Sequence, residues 1–309
     1  MEINIIIVCS INDFKKVLIN RSLLQKYLSN NITIIANSKL KEDCLKNNLQ
    51  FIDEDFIYPN LNYSKIQNLL QIKKADIKRT GWYFQQFLKM AYSQICTDEY
   101  YLIWDADTIP LNPINITNKP WFDTKTEYHK PYFDTIIKLF PELYKKNNYS
   151  FISEHMIIKT SIMKEIINTI NKNSNIVGNT WFEKIINSID ESQISKSGFS
   201  EFETYGTYVE FKYPELYDIK EFTSLRSNND WCTPTMINLH LIKWLRKEFD
   251  AVSFDNWQVI DEKKSKILIK LSYIFDYKTS SILYSKYNNK PAYIISIIKF
   301  LIKKIFFIQ

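Results

Sequence analysis

Tyr100-Tyr101-Leu102-Ile103-Trp104-Asp105-Ala106-Asp107-Thr108-Ile109-Pro110 is the stretch that decides the fold. Five apolar residues end in two carboxylates one residue apart, and Pro110 and Pro113 stop any regular element beyond them. An unbroken apolar run of this length reads as a strand buried on both faces, as in a parallel sheet covered by helices. The aspartates then lie where the strand leaves the sheet, the place where open α/β sheets hold ligands. Upstream, Ile3 to Val8, Ile32 to Ala36 and Leu49 to Ile52 are further apolar runs. A helical stretch from Lys15 to Leu28 separates the first two, and a mostly helical region runs from Tyr63 to Ile95. The expected class is α/β. Downstream, Tyr149 to Ile158 is a strand candidate, and Ser161 to Ile170, Trp181 to Ile189 and Leu239 to Glu248 are helical.

Composition narrows the chemistry. The 309 residues include only four glycines, Gly81, Gly178, Gly198 and Gly206, whose spacing matches neither G-x-G-x-x-G nor G-x-x-x-x-G-K-[ST]. Both of those loops need glycine to bring backbone against phosphate, so an ordinary NAD enzyme and a P-loop ATPase are disfavoured. Cys9, Cys44, Cys96 and Cys232 are scattered without a C-x-x-C pair, which suits reduced structural thiols in the cytoplasm. The start of the chain is apolar but carries no basic flank and is too short for a signal peptide. Residues 261–309 hold ten lysines against three acidic residues, a local charge of +7. Residues 1–260 therefore carry −1 of the total +6, and the basic excess belongs to the tail and calls for no nucleic-acid partner.

Two carboxylates at a strand end can converge on a hard divalent cation, Mg²⁺ or Mn²⁺, which takes oxygen ligands and commonly holds substrate phosphates. The plainer alternative is a pair of solvated turn carboxylates. Two enzyme classes place D-x-D in this setting. Phosphatases of the haloacid dehalogenase type use D-x-D-x-T, with the first aspartate as nucleophile. Their motif opens the chain, however, and a closing D-D or G-D-x-x-x-D is missing here. Nucleotide-sugar glycosyltransferases of GT-A type instead place D-x-D about a hundred residues in, at the end of a nucleotide-binding half.

Four motifs in order carry a resemblance: Arg79-Thr-Gly-Trp82 with Gln85, Gln86 and Lys89; Tyr101 to Asp107; Ser150-Phe-Ile-Ser-Glu154-His155-Met; and Gly198-Phe-Ser-Glu201-Phe-Glu203-Thr-Tyr-Gly206. Together they resemble a family of bacterial GT-A-like proteins associated with capsule and lipopolysaccharide loci. The resemblance implies a Rossmann-like mixed sheet covered by helices, a nucleoside-diphosphate sugar donor, foremost a UDP-sugar, and a glycan or lipid-linked acceptor. It divides residues 1–258 into a donor half, 1–110, and an acceptor half, 111–258. Asp107 would bind the cation, and Asp105 would contact the cation or the donor. Arg79, Gln85, Gln86 and Lys89 would meet the donor's phosphates or sugar.

On the residues themselves, Thr80 suits a helix N-cap, Gln85, Gln86 and Lys89 share one helix face, and Phe84, Phe87, Leu88 and Ala91 make the apolar one. An ordinary solvated face fits the same spacing. Glu201 and Glu203 lie in a stretch rich in Ser, Gly and aromatics that reads as a loop. An inverting transfer needs a carboxylate to accept the acceptor's proton. Glu201 matches that place by resemblance and Glu203 competes with it; a retaining reaction would make Glu201 an acceptor contact. Glu154 and His155 are placed at the acceptor, although a half-buried, hydrogen-bonded histidine is an equal reading. His240 is a candidate third metal ligand.

The tail from Pro291 to Gln309 forms, as a helix, a wide apolar surface with Lys299 and Lys303 on one stripe beside Ser296. Lysines make a spanning helix costly and an interfacial one comfortable. Residues 259–309 are thus read as a basic amphipathic segment for the anionic inner face of the cell membrane, with packing on the protein or a dimer as the other possibility. The sequence expectation is a metal-dependent glycosyltransferase, cytoplasmic and peripheral on that membrane. A non-catalytic, membrane-associated glycan-binding protein is the remaining alternative.

Overall fold

A computed structural model describes residues 3–114, 119–225, 231–254 and 260–289. The elements in chain order are β1 (Asn4–Val8), α1 (Phe14–Tyr27), β2 (Ile32–Ala36), α2 (Lys41–Lys46), β3 (Gln50–Asp53), α3 (Tyr63–Ile72), α4 (Thr80–Ala91), β4 (Tyr100–Trp104) and β5 (Thr108–Pro110). Next come β6 (Trp121–Asp123), α5 (Lys130–Leu139), β7 (His155–Lys159), α6 (Thr160–Lys172), α7 (Trp181–Ser188), α8 (Glu191–Ile194) and α9 (Glu201–Lys212). The last are β8 (Asp218–Lys220), β9 (Ser224–Leu225), α10 (Leu239–Leu245), β10 (Ala251–Ser253), α11 (Glu262–Leu271) and α12 (Tyr277–Asn289).

The central sheet has the order β3-β2-β1-β4-β7. The first four strands are parallel, and β7 runs antiparallel to β4 with Trp104 opposite His155. The class is therefore mixed α/β, as expected. Residues Ile5, Ile6, Ile7, Ile34, Ile35, Leu102, Ile103 and Trp104 are fully buried, which is why these strands read as unbroken apolar runs rather than alternating ones. Each such side chain contributes roughly 1.5–3 kcal/mol by leaving water.

Two compact units result, one of Met1–Thr108 with Ile114–Phe222 and one of Ile109–Pro113 with Thr223–Gln309. Residues 223–254 thus group with α11 and α12, a different cut from a boundary at 258. Within this second unit the Trp244 indole donates to the Phe275 carbonyl, and Ser265 Oγ donates to the Trp231 carbonyl. Its small sheet has the order β5-β10-β9.

Three local readings change. The strand expected from Tyr149 starts only at His155, because the Glu203 carboxylate claims Ser150 Oγ at 2.6 Å and the Phe151 N–H at 3.1 Å and holds that stretch as a loop. Thr80 is not an N-cap: a 3₁₀ turn over Ile77–Arg79, capped by Asp76, runs straight into α4, and the Thr80 hydroxyl bonds back to the Ile77 carbonyl at 2.6 Å. The stretch around Glu201 and Glu203 is helical, not a loop. Ser200 caps α9 by accepting from the Glu203 N–H, and the acidic first turn suits the helix dipole. Gly206 sits inside α9 because a Cβ there would stand 2.1 Å from the Phe151 ring. The tail helix expected over Pro291–Gln309 lies outside the described residues. Among the described residues no helix is long and apolar enough to cross a membrane.

Candidate functional site

Asp105 and Asp107 follow β4 directly. The Asp105 N–H donates to the Glu154 carbonyl at 2.9 Å, so the backbone leaving β4 stays tied to the segment entering β7. The Thr108 N–H closes a turn onto the Asp105 carbonyl at 3.1 Å, and the Trp104 indole anchors the same turn through the Thr108 carbonyl at 2.8 Å. Both aspartates are half-buried, while Trp104 and Thr108 on either side are buried. Thr108 Oγ1 reaches Asp107 Oδ1 at 3.5 Å.

Lys89 joins this turn to a distant part of the chain. Its ammonium lies 2.8 Å from Asp105 Oδ1 and 2.9 Å from Glu201 Oε1. The Lys89 and Glu201 side chains are each 6% exposed against 32% for Asp105, so two members of the triad are buried and the third opens outward. Burial works against the lysine's charge, but Asp105 and then Glu201 outweigh it and hold the ammonium above its ordinary range. The Phe202 ring lies under the same ammonium at 4.6 Å. Gln86, one turn earlier on α4, accepts the Glu201 N–H at 3.1 Å and donates to the Trp82 carbonyl at 3.2 Å. Gln86 and Lys89 therefore belong to a buried polar seam between α4 and α9, and the solvated-face alternative fails for both. Gln85 is half-buried beside them.

Arg79 lies just before α4, in the 3₁₀ turn that leads into it. Its guanidinium lies 4.2 Å over the Trp82 ring, and Nη2 donates to Ser197 Oγ at 3.2 Å. His129 fixes the Ser197 carbonyl at 2.7 Å, and Thr135 Oγ1 donates to the Gly198 carbonyl at 2.7 Å. This segment approaches too closely for a side chain at 198, where a Cβ would meet Ile189 Cγ2 at 2.2 Å.

The other sequence candidates go elsewhere. Glu203 is buried and clamps Ser150 and Phe151; burial raises its pKa despite the Ser150 bond and the Lys145 charge. Glu154 is buried and adjoins the motif through its backbone. His155 is wholly buried among the rings of Phe222, Trp104 and Trp121 at 4.4, 5.3 and 5.4 Å. Burial, helped by the Lys125 charge, lowers its pKa to about 3, so it is neutral at physiological pH. Its Nδ1 is 3.4 Å from Ser153 Oγ, which donates to Asp123 Oδ2 at 2.9 Å. His240 belongs to the second unit, stacked on Tyr273 at 3.9 Å and bonded to Ser272 Oγ at 2.8 Å. Among the described residues no three His, Cys, Asp or Glu side chains gather as a metal site. Sequence reasoning missed Ser197 and also Tyr132, whose ring packs on His129 at 4.5 Å; neither carries a motif signal of its own.

Residues 3–212 match the profile of a family of unknown function, DUF6492. The chain belongs to this family. The DUF6492 region contains Arg79, Gln86, Lys89, Asp105, Asp107 and Glu201 and nearly coincides with the first compact unit. No curated protein matches the sequence. Among solved structures, mouse xyloside xylosyltransferase 1 is 11% identical with a TM-score of 0.44, covering 84% of this chain and 100% of its own. The glycosyltransferase GlyE of Streptococcus pneumoniae is 10% identical with a TM-score of 0.40, covering 93% of this chain and 64% of its own. A galactosyltransferase, LgtC, crystallised with donor and acceptor sugar analogs, is 8% identical with a TM-score of 0.39, covering 82% and 88%. Likenesses at this level decide neither the fold family nor the chemistry of this DUF6492 protein.

Proposed function

We propose that this DUF6492 protein is a glycosyltransferase of GT-A type that moves a sugar from a nucleoside-diphosphate donor to a hydroxyl of a surface-glycan acceptor. One observation carries the reading. Asp105 of a strand-end D-x-D and Glu201 at the start of α9, far apart in sequence, meet on one buried ammonium. A carboxylate pair for the donor and a carboxylate for the acceptor are the two groups that an inverting, metal-dependent transfer uses.

Asp107 suits a divalent cation, since Mg²⁺ and Mn²⁺ are commonly held by one or two carboxylates with substrate phosphates completing the shell. Asp105, tied to Lys89, suits the donor's nucleoside or sugar hydroxyls. When bound, the cation supplies positive charge against the leaving diphosphate. Lys89 holds Glu201 by Oε1, while Oε2 makes no hydrogen bond among the described residues. In an inverting transfer the acceptor hydroxyl gives its proton to Oε2 and its oxygen bonds to the anomeric carbon. The bond from that carbon to the diphosphate breaks, and its electron pair leaves with the nucleotide.

The test is nucleotide release from a panel of nucleotide sugars with Mn²⁺, with and without a lipid-linked acceptor. Release from one donor, abolished in Asp107→Ala at unchanged folding, is the expected result; no release from any donor overturns the reading. The basic tail from Pro291 is assigned to the anionic inner face of the cell membrane. Deleting residues 291–309 should abolish binding to anionic vesicles at low salt, and unchanged binding removes that assignment.

A further inference from the structure

Arg79, in the 3₁₀ turn that enters α4, and Lys89, in the last turn of α4, stand ten residues or roughly 15 Å apart along the axis. Lys89 is neutralised twice over. Arg79 forms no ion pair with any carboxylate among the described residues: its contacts are the Trp82 face, the Ser197 hydroxyl, and nothing at all for its buried Nε. Asp76, whose charge acts on it from nearby, spends Oδ1 capping the Lys78 N–H. A half-buried guanidinium with no carboxylate in ion-pair contact is an expensive arrangement in a resting protein. It is also a preorganised one, because a planar guanidinium stacked on an indole holds its terminal Nη donors in a fixed plane for a phosphate or carboxylate.

Position says which substrate this end serves. A diphosphate held at Asp107 belongs with Lys89, which bonds Asp105 two residues earlier in the same turn. The Tyr132 ring packs on His129 at 4.5 Å, His129 holds the Ser197 carbonyl at 2.7 Å, and Ser197, bonded to Arg79, precedes Glu201 by only four residues, so one segment links the two ends. A molecule whose hydroxyl meets Glu201 would therefore extend past Tyr132 toward Arg79.

We propose that Arg79, Trp82 and Ser197 form an oxyanion subsite that holds a phosphate or carboxylate group of the acceptor while the acceptor hydroxyl reaches Glu201. The word acceptor rests on the glycosyltransferase reading; the oxyanion site does not. It assigns Arg79 to the acceptor instead of the donor phosphates.

The experiment is calorimetric titration of the full chain with inorganic phosphate and, separately, with glucuronate, in EDTA so that no cation recruits anions to Asp107. Saturable binding of either probe is expected, weakened about tenfold or more in Arg79→Gln, partly retained in Arg79→Lys and unchanged in Asp107→Asn. Phosphate binding alone indicates a phosphorylated acceptor, glucuronate alone an acidic sugar, and both support the site. The proposal is overturned if neither probe saturates, if Arg79→Gln binds as the parent does, or if Asp107→Asn loses binding equally. Melting curves establish that each variant is folded, and Arg79→Lys keeps the test decisive if Arg79→Gln is not. Arg79-dependent binding with no sugar transfer from any donor refutes the function and leaves the subsite standing. Transfer without such binding does the reverse.

Discussion

Lys89 lies near the end of α4 and Arg79 in the 3₁₀ turn that leads into it, yet the fold treats their charges in opposite ways. Lys89 is buried and held between Asp105 and Glu201; Arg79 is half-buried, stacked on Trp82, and given no carboxylate among the described residues. The difference teaches what each charge is for. A cation satisfied internally fixes protein groups relative to one another, whereas one without an ion-pair partner is costly until an anion meets it, as proposed for Arg79.

The largest expected effect that would break this contrast is at Lys89. Lys89→Met leaves Asp105 and Glu201 facing each other around a buried apolar chain and should cost about 3–5 kcal/mol in urea unfolding. Adding Glu201→Gln to that variant should recover part of the loss, because the buried member of the two carboxylates then loses its charge. A Lys89→Met protein as stable as the parent would show that the triad is not a structural clamp.

Gly198→Ala comes next. Its methyl would displace Ile189 and with it the segment carrying Ser197, at about 1–3 kcal/mol. Phosphate affinity at the Arg79 end should fall while the Lys89 contacts persist; an unchanged melting temperature and unchanged phosphate binding would count against that segment's role.

His155 supplies the third way to bury a titratable group, by keeping it uncharged. Its pKa is lowered to about 3 by burial, whereas in the unfolded chain it takes the ordinary value of 6.5. The unfolded state therefore binds the proton first as pH falls. Stability from this residue is complete above pH 6.5 and is lost progressively between 6.5 and 3, on the order of 1–2 kcal/mol by pH 5. His155→Phe should lose correspondingly less stability than the parent between pH 7.5 and pH 5, and identical losses would refute the neutral, buried assignment. The smallest effect is expected at Arg79 itself. Arg79→Met should shift unfolding by about 1 kcal/mol or less, since the packing lost over Trp82 is offset by removing an uncompensated charge. A loss as large as that at Lys89 would erase the contrast.

Much of the fold was legible from local pattern. Strands buried on both faces must be apolar throughout, so β1, β2 and β4 stand out in one dimension, and the carboxylates after Trp104 mark a strand end for the same reason. The site was legible only in part. Glu201 was named, but its helix was hidden because Gly206 and the aromatics around it imitate a loop; Gly206 is explained by Phe151, more than fifty residues away. Glu203, two positions on, looked equivalent to Glu201. In a helix two positions turn a side chain through about 200°, which sends Glu203 to the Ser150 loop and leaves Glu201 on Lys89. His240 shared its residue type with metal ligands but is occupied by Tyr273 and Ser272.

By itself, the amino-acid sequence determined the α/β class, the strand that ends in Asp105 and Asp107, and the concentration of positive charge in the last fifty residues, because periodicity and charge are properties of neighbours along the chain. Tertiary structure alone decided which carboxylate meets Lys89, that His155 is sealed among aromatic rings, and that Arg79 meets Trp82 and Ser197 but no carboxylate among the described residues. Those are properties of neighbours in space, set when α4 and α9 pack together and water is excluded between them.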